Sequence, residues 1–189
     1  PEGWNVNSPA FAPDGKTVYF MSAKSGSMQL YSMPLAGGEP KRLTDTAVDV
    51  DGYKLSPDGT QVALALAVFP ECKADLDCTK EKHDCKSDLA CTKKRLDDNG
   101  ARKTTGKVFD RMFIRHWDTW NDGRLNRVFA AKLGGDGMVK AATLLSGDIA
   151  GDIPSKPFGD LSDFAWSVDG RQVAMSVRQA NREEPWSTN

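Results

Sequence analysis

The sequence predicts an all-β fold: a partial β-propeller of four-stranded antiparallel sheets, with two full blades and the start of a third. Three observations predict it. A short apolar stretch, an Asp-Gly pair and an alternating strand occur in that order three times, over Ser8–Phe20, Tyr53–Leu64 and Asp163–Met175. The first two pairs, Asp14-Gly15 and Asp58-Gly59, lie 44 residues apart, within the roughly 40–50 residues of a propeller blade. That interval also divides into four strand-like segments separated by turn residues.

Each element has a local cause. Asp bonds its own backbone two residues on, and Gly supplies the positive φ of a tight corner. Pro13 and Pro57 preset φ on entry, and Val168 stands in that place before Asp169-Gly170. The segments after the corners, Thr17–Phe20 and Gln61–Leu64, carry β-branched and aromatic residues suited to sheets. Gln29–Leu35, a turn over Ala36–Pro40, and Lys41–Thr44 complete the first four strands.

Asp169 follows Asp58 by 111 residues, so one blade carries a Cys-containing, partly helical insertion, placed at 70–107. The blade is expected to resume at Met112–Trp117, turn at Asn121-Asp122-Gly123 and continue through Arg124–Leu133. Gly134–Gly137 repeats the role of Gly37-Gly38, and Ala142–Ser146 closes the blade. The expected boundaries are about 1–48 for blade 1, 49–160 for blade 2 and 161–189 for the start of blade 3. Two blades and part of a third do not close a ring of four to eight. The expectation is therefore a piece of a longer protein, with a homo-oligomer through open sheet edges as a further possibility.

Of the 189 residues, 39% are hydrophobic and 27% charged, with a formal net charge of −1. This balance excludes a disordered chain and gives no basic footprint, so no nucleic-acid partner is expected. The longest apolar run, Val62–Phe69, is far short of the roughly 18 residues of a membrane helix, so no membrane partner is expected. Pro1-Glu2-Gly3 lacks the basic start and apolar stretch of a leader, and the chain reads as cut from something longer.

All four cysteines fall in the insertion, as two copies of C-x5-C: Cys72 with Cys78, and Cys85 with Cys91. A copied unit predicts local disulfides, Cys72–Cys78 and Cys85–Cys91, with nested pairing across a helical hairpin as the alternative. A zinc site that adds His83 is disfavoured by the spacing, since compact zinc knuckles leave two to four residues between ligands. No metal or cofactor is expected. Disulfides imply an oxidising compartment, the periplasm or the cell exterior. Four free thiols on a cytosolic loop would be an oxidation liability.

Arg115-His116-Trp117-Asp118-Thr119-Trp120 is the most unusual hexapeptide. Read chemically, Arg115 holds a carboxylate through its two-pronged donor, with Trp117 and Trp120 as apolar walls. Read structurally, Arg115, Trp117 and Thr119 share one strand face, where arginine stacks on tryptophan to finish a sheet. Glu183-Glu184 suggests an amine site, but adjacent strand residues point apart and a charged loop accounts for them. Asp49-Val50-Asp51-Gly52 lacks the remaining ligands of a calcium loop. There is no G-x-S-x-G elbow, and the only histidines, His83 and His116, complete no triad. Catalytic residues: none; the chain alone is expected to be inert.

The Ser-Pro-Asp-Gly repeats resemble the propeller repeats of TolB-type proteins and of prolyl oligopeptidase family serine peptidases. The stretch Asp110–Gly123, with Glu184–Asn189, narrows the resemblance to bacterial dipeptidyl aminopeptidases and acylaminoacyl peptidases, dipeptidyl peptidase V-like. The resemblance covers essentially the whole chain. It implies a two-domain enzyme whose N-terminal propeller caps a C-terminal α/β-hydrolase domain bearing Ser, Asp and His. Its partners would be peptides, reached through the parent enzyme, and that hydrolase domain, which this chain lacks. In some relatives a propeller glutamate pair holds the peptide amine; Glu183-Glu184 does not match that motif, and the role is not transferred. The alternative is a TolB-like, non-enzymatic propeller that binds a protein partner.

Overall fold

Alternation of apolar and polar residues between the corners builds two successive four-stranded antiparallel sheets. In this computed structural model, residues 3–72, 89–109, 114–116, 118–134, 138–147, 149–156 and 158–178 are described. The first sheet contains β1 (Asn7–Phe11), β2 (Thr17–Ser22), β3 (Gln29–Pro34) and β4 (Lys41–Arg42), in that spatial order. The second contains β5 (Val50–Leu55) and β6 (Gln61–Val68), and after a long excursion β9 (Leu125–Leu133) and β10 (Val139–Leu144). A third begins with β11 (Phe164–Trp166) paired to β12 (Val173–Met175). These are two blades and the start of a third.

The three corners close alike. Gly15, Gly59 and Gly170 take φ of 66°, 71° and 67°, and each N–H donates to the carbonyl three residues back at 2.9 Å. Each aspartate accepts from the N–H two residues on: Lys16 for Asp14, Thr60 for Asp58 and Arg171 for Asp169. The corners also stack. A Cβ on Gly59 would lie 3.1 Å from Pro13, and Gly170 faces Ser56 and Asp58.

β6 explains how the layers join. Its odd and even residues face opposite ways. Val62, Leu64, Leu66 and Val68 enter the core shared with the first sheet, alongside Met21, Leu30 and Phe129. Ala63 and Ala65 enter a second core with Val128, Ile153 and Phe164, shared with the third strand pair. A strand covered on both faces reads as a continuous apolar run, which is the character of Val62–Phe69.

Buried polar groups tie each sheet to the segment leading onward. Gln29, 1% exposed, donates from Nε2 to the carbonyls of Thr46 and Val48, and its Oε1 accepts from Thr44 and Thr46. Arg127, 4% exposed, donates from Nη1 to the carbonyls of Ile149 and Gly151 at 2.7 and 2.8 Å.

The expected resumption of the blade over Met112–Trp117 is corrected at Arg115–His116; Met112, Phe113 and Trp117 lie outside the described residues. Val68 pairs directly with Leu125, and β6 pairs with β9 in unbroken register to Gln61 with Lys132. Residues Arg115–His116 (β7) and Thr119–Trp120 (β8) form a separate two-stranded hairpin outside the blade. The physical reason is length: an eight-residue buried strand needs a partner that matches it throughout, and among the described residues Leu125–Leu133 does so. Asn121-Asp122-Gly123 is a turn, with Gly123 N donating to Asn121 Oδ1 at 2.8 Å, but it leads from the hairpin into β9.

The excursion also carries α1 (Ala90–Gly100), docked on the end of β6. Leu89 and Leu96 join the first core, Phe69 N donates to Thr92 Oγ1, and the Arg95 guanidinium lies 4.4 Å above the Phe69 ring. Lys93–Asp97 and Lys94–Asp98 are i,i+4 ion pairs on its exposed side. This docking corrects the cysteine pairing. Cys72 is joined to Cys91, with Cα atoms 5.6 Å apart, rather than to Cys78. Sequence copying predicted local loops, but seating α1 on Phe69 brings Cys91 beside Cys72, as in the nested alternative. Cys78, Cys85 and His83 lie outside the described residues.

Candidate functional site

The hairpin β7–β8 brings the two ends of the unusual hexapeptide together. Arg115 and Trp120 are cross-strand partners, and the Arg115 guanidinium carbon lies 5.2 Å from the Trp120 ring centroid. Phe109 stacks on the same indole at 5.8 Å and 23°. Lys107 Nζ lies 6.0 Å from that ring. Trp120 stays 47% exposed. Among the described residues, no carboxylate pairs with Arg115 or Lys107. The arrangement presents two cations around an aromatic ring, a combination that attracts anions at its edge and holds cations by the ring quadrupole.

Of the three residues singled out by sequence, the structure brings Arg115 and Trp120 together, and Trp117 lies outside the described residues. An arginine–tryptophan stack exists across the hairpin, between Arg115 and Trp120; the expected shared face with Trp117 lies outside the described residues. Phe109 and Lys107 were missed. They sit in an exposed irregular stretch with no periodicity, and only their closeness in sequence to the hairpin could have drawn attention to them. Glu183-Glu184 lies outside the described residues.

At the root of the excursion, Arg124 Nε meets Asp122 Oδ2 at 2.7 Å. Burial pushes the Asp122 carboxyl up, but the hydrogen bonds and charge of Arg124 outweigh it and hold it below the usual range. Asp51, at the start of β5, is shifted the other way: burial raises it more than Arg124 and Lys156 lower it.

A second feature lies along the first strands of the three sheets. A cleft of about 370 Å³ is bounded by Phe11, Tyr53, Leu55, Pro57 and Trp166, among others. Phe11, Leu55 and Trp166 each stand three residues before their corner aspartate. The polar groups of the cleft hold sheets together: Trp166 Nε1 donates to Lys54 O at 2.9 Å, Lys54 Nζ to Phe164 O, and Tyr53 OH to Ser8 O. Burial raises the Tyr53 hydroxyl well above its ordinary pKa, so it remains a donor. What the cleft offers a ligand is therefore mainly apolar wall.

Among the described residues, no group of three or more His, Cys, Asp or Glu is placed to hold a metal ion, and no helix is long and apolar enough to cross a membrane.

No family model matches the chain. It is 30% identical over 175 residues to a dipeptidyl-peptidase 5 of Porphyromonas gingivalis, covering 93% of this chain and 22% of that protein. It is 28% identical over 172 residues to a dipeptidyl-peptidase 5 of Porphyromonas endodontalis, covering 91% of this chain and again 22% of the relative. The chain thus spans about a fifth of the length of these curated relatives. Among solved structures, an acylaminoacyl peptidase of Pyrococcus horikoshii aligns over 75% of this chain and 18% of that one, at 12% identity and a TM-score of 0.46.

Proposed function

We propose that this chain is a propeller segment of a secreted or periplasmic serine peptidase of the dipeptidyl or acylaminoacyl type. In this reading it gates and binds short peptides for an α/β-hydrolase domain carried elsewhere in the same polypeptide, and it is inert alone. The observation that carries the reading is similarity to two dipeptidyl-peptidase 5 proteins across nine tenths of the chain, on a frame of consecutive four-stranded sheets. Arg115 and Trp120 are the groups proposed to meet substrate. The Cys72–Cys91 disulfide supports an oxidising compartment.

The test is hydrolysis of dipeptidyl chromogenic substrates by the full polypeptide that carries this chain. Activity abolished by a serine-reactive inhibitor is expected. No hydrolysis of dipeptidyl or acylaminoacyl substrates would overturn the reading in favour of a non-enzymatic, partner-binding propeller. Recovery of Cys72 and Cys91 as alkylated thiols without prior reduction would overturn the compartment assignment.

A further inference from the structure

We propose that Arg115 and Lys107, converging on Trp120, form a receptor for a peptide carboxylate. The inference rests on the peptide-binding reading above and names the part of the peptide this site takes.

The argument is electrostatic and geometric. The indole attracts both cations, which lie 5.2 and 6.0 Å from its centroid, but the cations repel each other. A carboxylate beside them relieves that repulsion, and no described carboxylate lies within ion-pair distance of either. The guanidinium fork matches the two oxygens of a carboxylate, whereas an ammonium adds a point charge from a second side. Phe109, stacked on the indole, fixes the ring from which both cations take their position. Trp120 is 47% exposed, so the apolar part of a terminal residue can lie against its open side while the carboxylate meets Arg115. A merely structural stack of arginine on tryptophan would be indifferent to whether a peptide carries a carboxylate.

The test is equilibrium binding, by fluorescence anisotropy, of three short peptides labelled at the N-terminus. One ends in a free carboxylate, one in an amide, and one in an amide with an internal glutamate. The free-acid peptide is expected to bind at least tenfold more tightly than the neutral amide. Combined Arg115→Ala and Lys107→Ala should remove that preference, and Arg115→Lys should keep only part of it. Restored affinity for the glutamate-bearing amide assigns the site to acidic side chains, and no restoration assigns it to the peptide terminus; both support a carboxylate receptor. Equal binding of acid and neutral amide, unchanged preference in the double variant, or no binding of any carboxylate peptide would overturn the proposal. The substituted residues are exposed, and an unchanged thermal midpoint verifies that each variant is folded. Because the readout is binding, a failed hydrolysis assay leaves this result standing, and the reverse also holds.

Discussion

Gln29 and Arg127 occupy the same place in successive sheets. Each lies on the third strand, is buried, and donates to two carbonyls of the segment leading to the next sheet, at positions one and three before an aspartate: Asp49 for Gln29, Asp152 for Arg127. Those aspartates repeat as well, since Asp49 accepts from Met28 N and Asp152 from Asn126 N, both at 2.7 Å. One structural slot is thus filled by an amide in one blade and a guanidinium in the next.

Gln29→Leu should destabilise the chain by about 2–3 kcal/mol, because the carbonyls of Thr46 and Val48 and the N–H of Thr46 lose a buried partner. Urea unfolding measures it. A loss under about 0.5 kcal/mol would mean that water replaces the amide.

Replacing Cys72 and Cys91 together by serine should cost about 3 kcal/mol in the chain-entropy estimate, given a sequence separation of 19. The check is the urea midpoint of the variant against the oxidised parent. No shift would mean that docking of α1 already restrains the loop.

Two corner glycines should respond differently to alanine. Gly15→Ala carries only the penalty of a left-handed backbone, about 1 kcal/mol, since nothing lies near its added Cβ. Gly59→Ala adds crowding against the Pro13 ring at 3.1 Å and should cost about 2 kcal/mol or more. Equal losses in thermal unfolding would argue against stacked corners.

The corner aspartates predict a pH response. The Ser56 hydroxyl, then Thr60, hold the Asp58 carboxyl below the usual range, and the Ser167 hydroxyl and Arg171 N–H do the same for Asp169. A depressed carboxylate stabilises the fold above its unfolded pKa of about 3.9, and the contribution is lost as pH falls through the lower folded value. Ser56→Ala should move the Asp58 titration upward and leave Asp169 alone, and Ser167→Ala should do the converse. Carbon-13 NMR of the carboxyls reads both, and an unmoved Asp58 in Ser56→Ala would rule out the hydroxyl as the cause.

The corners and strands were legible because their causes are local: an Asp-Gly pair dictates its own turn, and Val62–Phe69 declares a strand covered on both faces. The sequence left two disulfide pairings and favoured the local one, whereas Cys91 is delivered to Cys72 by the docking of Leu89 and Thr92 on the end of β6. Leu125–Leu133 was read correctly as a blade strand, but the exclusion of Arg115–Trp120 from the blade was not legible, since that stretch has as much strand character. What separates them is the length of the partner each must match. In the candidate site, Arg115 and Trp120 stood out by composition, whereas Lys107 and Phe109 join them only through the path of the chain. The Gln29 and Arg127 slot was hidden because two unrelated residue types perform one task.

Val68 and Leu125 face one another on adjacent strands, so residues 69–124 depart and come back at a single rung of the ladder. That makes the excursion a side branch rather than a link in the frame: its length and contents are free to vary while the rungs above it keep their alignment. Among the described residues, the branch is tied to the frame by the seat of α1 on Phe69, by the strap closed by Cys72 and Cys91, and at its root by Lys156 Nζ donating to Arg124 O. A redesign that leaves those attachments in place can exchange the tip without re-registering the sheet.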